Sequence, residues 1–428
     1  MRRYLTLFCQ FVVGLTFLFS GLVKCIDPIG TSIKLHDYFA VLGLTWFNDW
    51  TLFFAWILCL SEFIIGLNIA LGRVRHFFTG LALLAMLVFT PLTLYLAIEN
   101  PVSDCGCFGD AVVLTNWQTF WKNVFLLVCT IILYVNRKHI SNSERRDYLT
   151  IIFYVELVIA VVLCYMGTNH LPYLDFRPYR PGVNIQRAMN GSSSAEGTEY
   201  KCVYEKDGVT QEFDLEELPD EESGWTFVET KEYASTSDTA TYNGPVITDF
   251  FLMDEYGEVI TDEILSDPNY TFLLISPSLA TADETYLDRI ENLYEYCMVE
   301  GYNFYCATLN DSVEVSNWKY RTGAEYDFIY SDATILETII RANPAIMLMK
   351  EGTILWKSCM QDLEVDELIS AKLTEQSYGE INADDRKSKV FWLVFLMLLP
   401  IVLYLPIEKA LLLYKKFKLK STKNNQKQ

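Results

Sequence analysis

Two cysteines separated by one glycine, Cys105-Gly106-Cys107, lie in a short acidic stretch, Ser103 to Asp110, between two strongly apolar segments. Thiols so close together suit thiol–disulfide exchange, in which a thiolate attacks a disulfide sulfur through a mixed disulfide. Neighbouring cations lower a thiol's pKa and carboxylates raise it. Lys122 would act in the first sense, Asp104 and Asp110 in the second. Gly106 places no side chain between the sulfurs, which eases a tight ring or leaves both thiols open to a partner. Cys25, just past another apolar segment, is expected on the same side and is the natural third thiol. The candidate catalytic set is therefore Cys105, Cys107, Cys25 and Lys122. A disulfide that merely pins the loop is equally compatible with this spacing.

Glu62 sits well inside an apolar run. A carboxylate within a membrane is costly and is a functional candidate by default. It is the one candidate for contacting a cofactor, or else a protonated group hydrogen-bonding across the bundle near Ser61 and Asn68. Lys24, Lys34, His36 and Asp37 are expected to line an outer loop, as a polar cluster around Cys25 or as a solvated surface. None of the four histidines has a second at ligand spacing, so no metal site is expected. Of the 11 cysteines, Cys9, Cys59 and Cys129 fall in apolar runs, where cysteine is usually a small filler. The pairing of the outward thiols stays open.

Six stretches are apolar enough to carry these residues across a bilayer as helices of about 20 residues: 4–24, 51–71, 77–98, 118–135, 150–167 and 390–412. Positive charge marks the cytoplasmic ends: Arg2 and Arg3, Arg73 and Arg75, Arg137 to Arg146, and Lys415 to Lys420. Both termini are thus expected in the cytoplasm and residues 168–389 outside. Lys24 before Cys25 is wrong for a lipid-attachment box, so the first stretch is expected to remain a membrane helix. Charge divides the chain the same way, with a net −28 in residues 171–388 and +8 elsewhere. So acidic an outer part would repel phosphates, which excludes nucleic acid as a partner.

The end of the first apolar segment, Phe19-Ser20-Gly21-Leu22-Val23-Lys24, resembles the DoxX family, as does Glu62-Phe63-Ile64-Ile65-Gly66-Leu67 followed by Leu71-Gly72. Cys105-Gly-Cys107-Phe-Gly resembles the related MauE group of membrane proteins associated with redox maturation. The resemblance covers about residues 1–136 and implies a four-helix bundle. It also implies, for a relay, a quinone as the lipid-soluble acceptor. The layout is similar to that of vitamin K epoxide reductase relatives, without their Cys-x-x-Cys.

In the aqueous part, Pro-rich residues 168–182 read as a connector. Tyr200–Glu205 and Gln211–Leu215 form a hairpin about Asp207-Gly208, and Val246 to Ile260 a second one about Asp254–Gly257. A strand at Tyr270–Ile275, a helix at 283–300, strands at Tyr302–Thr308 and Asp327–Tyr330 and a helix at about 333–342 follow. The strands Ala345–Met349 and Ile354–Lys357 and a helix from about 364 complete the series. The order resembles the thioredoxin fold, which implies a cis-proline at Pro344. Where that family carries Cys-x-x-Cys, this chain has Ser276-Pro277-Ser278-Leu279, so no thiol chemistry is expected there.

The expected architecture is a membrane bundle of four DoxX/MauE-like helices plus two more, with an inserted extracytoplasmic α/β domain. Its parts are 1–136, helix 150–167, connector and β-rich segment 168–245, a thioredoxin-like domain at 246–375 lacking Cys-x-x-Cys, helix 390–412 and a basic tail at 413–428. The domain order suits a multi-pass protein of a bacterial inner membrane. The leading expectation is exchange of electrons between the Cys-Gly-Cys loop and an extracytoplasmic protein or thiol. The alternative is a non-catalytic scaffold or maturation factor that binds partners through its outer domain.

Overall fold

A computed structural model describes residues 2–72, 75–102, 105–137, 147–190, 198–206, 209–214, 226–234, 247, 250–309, 311–381, 387–395 and 397. The N-terminal region is helical: α1 (Arg2–Ile26), α2 (Pro28–Val41), α3 (Thr51–Ala70), α4 (Arg75–Glu99), α5 (Asn116–Val135) and α6 (Asp147–Asn169). All but α2 are long and apolar enough to cross a membrane, giving five such spans among the described residues. The expected sixth stretch is helical at 387–395, and most of the remainder lies outside the described residues.

Helix α1 packs on α3, α3 on α4, α4 on α5, and α5 back on α1, closing a four-helix ring with α6 against α1 and α3. Phe11, Leu15, Phe53, Leu87, Phe125 and Val158 stay exposed on its outside, an apolar surface fit for lipid. Two glycines set the α1–α3 distance. A Cβ on Gly21 would stand 2.3 Å from the Phe63 nitrogen, and one on Gly66 would stand 2.1 Å from that of Leu18. Only hydrogen fits at either crossing.

Where an outer loop was expected, α2 forms a short helix. Pro28 begins it and the Asp27 side chain accepts from Gly30 N at 2.8 Å. Asp followed by Pro is an N-cap and first-turn signature. Helix α5 begins with a capping box between Thr115 and Gln118. Asn116 donates to the Asn100 side chain and the Val102 carbonyl, both at 2.8 Å, tying together the two ends of the loop that carries Cys105 and Cys107.

Beyond α6 the chain forms α7 (Ile185–Asn190), β1 (Thr198–Lys206), β2 (Val209–Asp214) and β3 (Thr226–Ala234). These strands make an antiparallel sheet of order β2-β1-β3, with Lys206 opposite Val209 across the expected hairpin turn. Then come α8 (Thr261–Ser266), β4 (Tyr270–Ile275), α9 (Leu287–Glu300), β5 (Asn303–Thr308) and α10 (Ser312–Thr322). The series ends with β6 (Asp327–Tyr330), α11 (Ala333–Ile339), β7 (Ala345–Lys350), β8 (Thr353–Cys359) and α12 (Val365–Leu368). The second sheet has order β6-β5-β4-β7-β8, parallel from β4 to β6 and antiparallel at β4–β7 and β7–β8.

Every residue of β4 is buried because apolar clusters cover both faces, around Phe272 and Trp318 on one and Leu273 and Met347 on the other. The Asn343–Pro344 peptide is cis. Two expectations change. The hairpin read at 246–260 is confined to its turn, where Met253 bridges Val259, Ile260 N donates to the Leu252 carbonyl and Asp254 N to the Glu258 carbonyl, with Met253 also bridged to Tyr330; Val246 lies outside the described residues. Helix α10 was not read, because its surface is mostly polar; Asp311 caps it, accepting from Val313 N and Glu314 N.

Candidate functional site

The Cys105 and Cys107 sulfurs lie 2.8 Å apart. Gly106 makes this possible. Its φ of +59° belongs to the left-handed region that glycine enters without steric cost. The chain thereby turns back so that Cys107 N donates to the Cys105 sulfur at 3.3 Å. Tyr38 of α2 donates to the Cys105 carbonyl, and the Cys105 sulfur sits 3.3 Å from the Thr119 hydroxyl on α5. Asp104 lies outside the described residues.

These contacts separate the two thiols electrostatically. The hydrogen bond from Cys107 is the largest influence on Cys105. With Thr119, the Cys107 N–H and the Lys122 charge, it outweighs burial and lowers the Cys105 thiol to about 6. Donating to Cys105, and burial itself, push Cys107 well above the ordinary thiol range. Cys105 is the thiolate of the pair and Cys107 its proton donor. Lys122 lies 4.1 Å from the centre of the Phe108 ring, holding its charge beside the loop.

Beneath the loop is a buried ion pair. Lys24 Nζ reaches both Glu62 oxygens, at 2.7 and 2.8 Å. Ser20 Oγ is 2.7 Å from Glu62 Oε2 and 2.6 Å from the Cys107 carbonyl, so it joins the pair to the loop. Ser20 and Lys24 are four residues apart on α1 and share a face. The Gly21 and Gly66 crossing brings that face to Glu62. Lys24 therefore turns into the bundle, where the sequence suggested an outer-loop cluster with Lys34, His36 and Asp37. Glu62 meets Lys24 and Ser20, whereas Asn68 donates to the Ile64 carbonyl of its own helix.

Cys25 is fully buried with Cys59, Phe63 and Cys164 where α1, α3 and α6 meet. Its sulfur hydrogen-bonds to Cys164, so the structure groups it with that thiol. Cys105, Cys107 and Lys122 come together around one cavity, and Cys25 does not line it.

The cysteine loop stands between two cavities. Below it an apolar one of about 120 Å³ is lined by Phe17, Leu58, Met86, Phe89 and Leu96, with Glu62 and both cysteines in its wall. On its other side a polar one of about 470 Å³ lies between the bundle and the α/β domain, lined by Asp27, Asp37, Asp110, Arg177 and Arg341 among others. Gly106 and Lys34 line both.

The C-terminal α/β domain reaches this vestibule through Arg341, which contacts Asp27 at 3.1 Å and Asp110 at 3.6 Å. A buried trio positions it. Asp175 accepts from Arg177 at 2.8 Å and from Lys357 at 2.6 Å, while Arg177 and Lys357 also donate to the Thr338 and Ile339 carbonyls just before Arg341. Burial would raise Asp175, but the two cations outweigh it and hold its carboxyl far below the ordinary range. Burial lowers Lys357 to about 7, against the pull of Asp175. The segment read as a connector thus contributes buried, charged structure. At the position read as lacking Cys-x-x-Cys, Ser276 Oγ is 2.6 Å from the Asn343 side chain, which donates in turn to the Ser278 carbonyl at 2.8 Å.

Residues 2–136 match the family model described as methylamine utilisation protein MauE, a little under a third of the chain. Residues 198–234 match one described as a domain of unknown function. Among solved structures, "Solution structure of a putative protein disulfide isomerase from Bacteroides thetaiotaomicron" aligns at 13% identity and a TM-score of 0.24, over 33% of this chain and 91% of that one. No curated protein matches.

Proposed function

We propose that this is a membrane thiol–disulfide oxidoreductase. Its Cys105–Cys107 pair takes electrons from an extracytoplasmic thiol and passes them to a lipid-soluble acceptor of the quinone class. The observation that carries the reading is two adjoining sulfurs that line an apolar cavity in the bundle, with Gly106 between them also lining the polar vestibule. With the pair oxidised, a thiolate of an outward dithiol attacks Cys107, and Cys105 leaves as the thiolate. A lower-pKa thiol is the better leaving group. The donor's second thiol then displaces Cys107, so the donor becomes a disulfide and the loop a dithiol.

The quinone accepts two electrons and two protons as the loop disulfide re-forms, which balances the cycle. Lys24, Glu62 and Ser20 lie next to Cys107 and can hold or return a proton there. The outer domain, with the sheet order described and no thiol at Ser276–Leu279, is read as a thioredoxin-like module without redox chemistry of its own. It faces the extracytoplasmic side of a bacterial inner membrane, with both termini in the cytoplasm. Its Arg341 contacts hold it over the loop.

The test is to reduce the purified chain in lipid nanodiscs, add a water-soluble quinone, and block free thiols with a mass-shifting maleimide. Loss of two reactive thiols at Cys105 and Cys107, reversed by an added dithiol, is the expected result. In Cys105→Ser, which can form no loop disulfide, Cys107 offered the donor in its disulfide form should attack it and be caught as a mixed disulfide, the donor's other sulfur leaving as a thiol. A pair locked in one oxidation state under every condition would instead favour the non-catalytic scaffold.

A further inference from the structure

We infer that His170, Cys359 and Asp362 form a binding site for a zinc-class divalent cation at the joint between α6 and the outer sheet. Their ligand atoms all lie within 4.8 Å of one another. His170 Nδ1 is 2.8 Å from Asp362 Oδ1 and 2.9 Å from Oδ2, and the Cys359 sulfur is 2.7 Å from Asp362 Oδ2. No pair of histidines at ligand spacing announces such a site, which is why the sequence did not suggest it. The donors are separated by 189 residues of chain, from His170 to Cys359.

Each donor is held by regular structure. His170 N donates to the Met166 carbonyl at 2.8 Å and so extends the last turn of α6. Cys359 is the last residue of β8, paired with Ala345 of β7. Asp362 N donates to the Cys359 carbonyl at 3.1 Å, and this turn brings the two side chains together. Two elements distant in sequence thus present three donors to one point.

The donor set selects the cation. A thiolate, an imidazole and a carboxylate are the ligands of zinc, whereas calcium and magnesium take oxygen donors. Metal bonds of about 2.0–2.3 Å place tetrahedral ligand atoms roughly 3.3–3.8 Å apart. The donors would therefore move outward by up to about one ångström on loading. His170 and Asp362 have room to do so, with side chains 35% and 43% exposed, while Cys359 is buried and fixed. The Cys359 thiol donates to the Asp362 carboxylate, and a dication that replaced this proton would bind both groups.

Three protein ligands leave a fourth position for water or a substrate group. Cys359 also lines a cavity of about 300 Å³ with Tyr286, Asn343, Pro344 and Gln361, the side on which such a group would enter. A bound cation would tie α6 to β8 and fix the outer domain on the bundle.

The test is a Co²⁺ titration of the chelator-treated full chain in nanodiscs, with Zn²⁺ as competitor. One equivalent of Co²⁺ should bind with a thiolate-to-metal charge-transfer band that Zn²⁺ abolishes. Cys359→Ser should lose the band. His170→Gln and Asp362→Asn should weaken binding by more than the roughly 10- to 100-fold typical of losing an outer-shell partner. Cys105→Ser/Cys107→Ser should keep the band. Absence of the band, its survival in Cys359→Ser, or wild-type affinity in all three ligand variants would overturn the assignment.

Discussion

Replacing Cys107 with alanine tests the electrostatics of the loop most directly, because the Cys107 hydrogen bond is the largest influence lowering Cys105 to about 6. At that pKa Cys105 is about 24% thiolate at pH 5.5, whereas an ordinary thiol near 8.5 is about 0.1%. Nucleophilicity falls with pKa, with a Brønsted slope of about 0.4–0.5, so the roughly 240-fold gain in thiolate shrinks to about 15- to 25-fold in rate. In reduced wild-type protein, Cys105 should alkylate with a midpoint near pH 6 and a plateau above about pH 7. In Cys107→Ala the midpoint should move up by roughly one unit or more, about 1.4 kcal/mol per unit. Thr119 and Lys122 remain to hold it below 8.5.

The assay is iodoacetamide labelling across pH in nanodiscs, read by mass spectrometry of the peptide containing Cys105. A wild-type midpoint at 8.5 or above, or one unmoved by Cys107→Ala, would refute the division of the pair into thiolate and proton donor. The same preference has a redox consequence. At pH 7 it stabilises the reduced form by about 1.4 kcal/mol, or about 30 mV for two electrons, and makes the pair a better oxidant.

Three further outcomes follow from the packing and the buried charges. Glu62→Leu should cost about 3–5 kcal/mol by stranding Lys24 in the bundle, while Lys24→Met/Glu62→Leu should recover much of that loss, as read by thermal unfolding in lipid. Gly21→Ala should destabilise by about 1–3 kcal/mol through overpacking, whereas Gly80→Ala, whose new Cβ would meet only a Tyr134 ring atom at 3.9 Å, should be near neutral. Lys357 titrates at about 7 folded and near 10.4 unfolded, so between these values the unfolded chain binds more protons and stability rises with pH. The stability of wild type relative to Lys357→Met should therefore grow from pH 7 to pH 9; a constant or shrinking difference counts against the buried position of Lys357.

The membrane helices were legible because lipid imposes one solution on an apolar run, and the sheet because β4, β5 and β7 are continuous apolar strands. Cys105 and Cys107 were legible as a pair by adjacency alone. Partnerships across distance were not. Lys24 could not be assigned to Glu62 until Gly21 and Gly66 set how closely α1 approaches α3, and nothing local separates a lysine turned inward from one facing solvent. Thr119 follows the capping box that begins α5, but its contact with Cys105 depends on how the loop folds back over the helix. Asp175 and Arg177 fall in a stretch that reads as a proline-rich connector, because Lys357, which donates to Asp175, lies 182 residues away.

Under the proposed function, the position of the α/β domain narrows what could donate electrons. Arg341 bridges to Asp27 and Asp110, and the vestibule beside them reaches the loop at Gly106 and Gly109. A space of about 470 Å³ is the size of a small-molecule pocket, too small for a folded domain. Under the proposed function, a donor that used this space would have to be a small dithiol or a narrow, thiol-bearing tip of a larger protein. Asp27, Asp37 and Asp110 oppose an acidic donor, while Arg177 and Arg341 are already engaged by carboxylates. A neutral or basic dithiol should then reduce the pair faster than an acidic one of equal potential. Neutralising Arg341 as Arg341→Met should loosen the lid and raise the rate with bulky donors more than with small ones; equal acceleration of both would mean that the vestibule does not limit access.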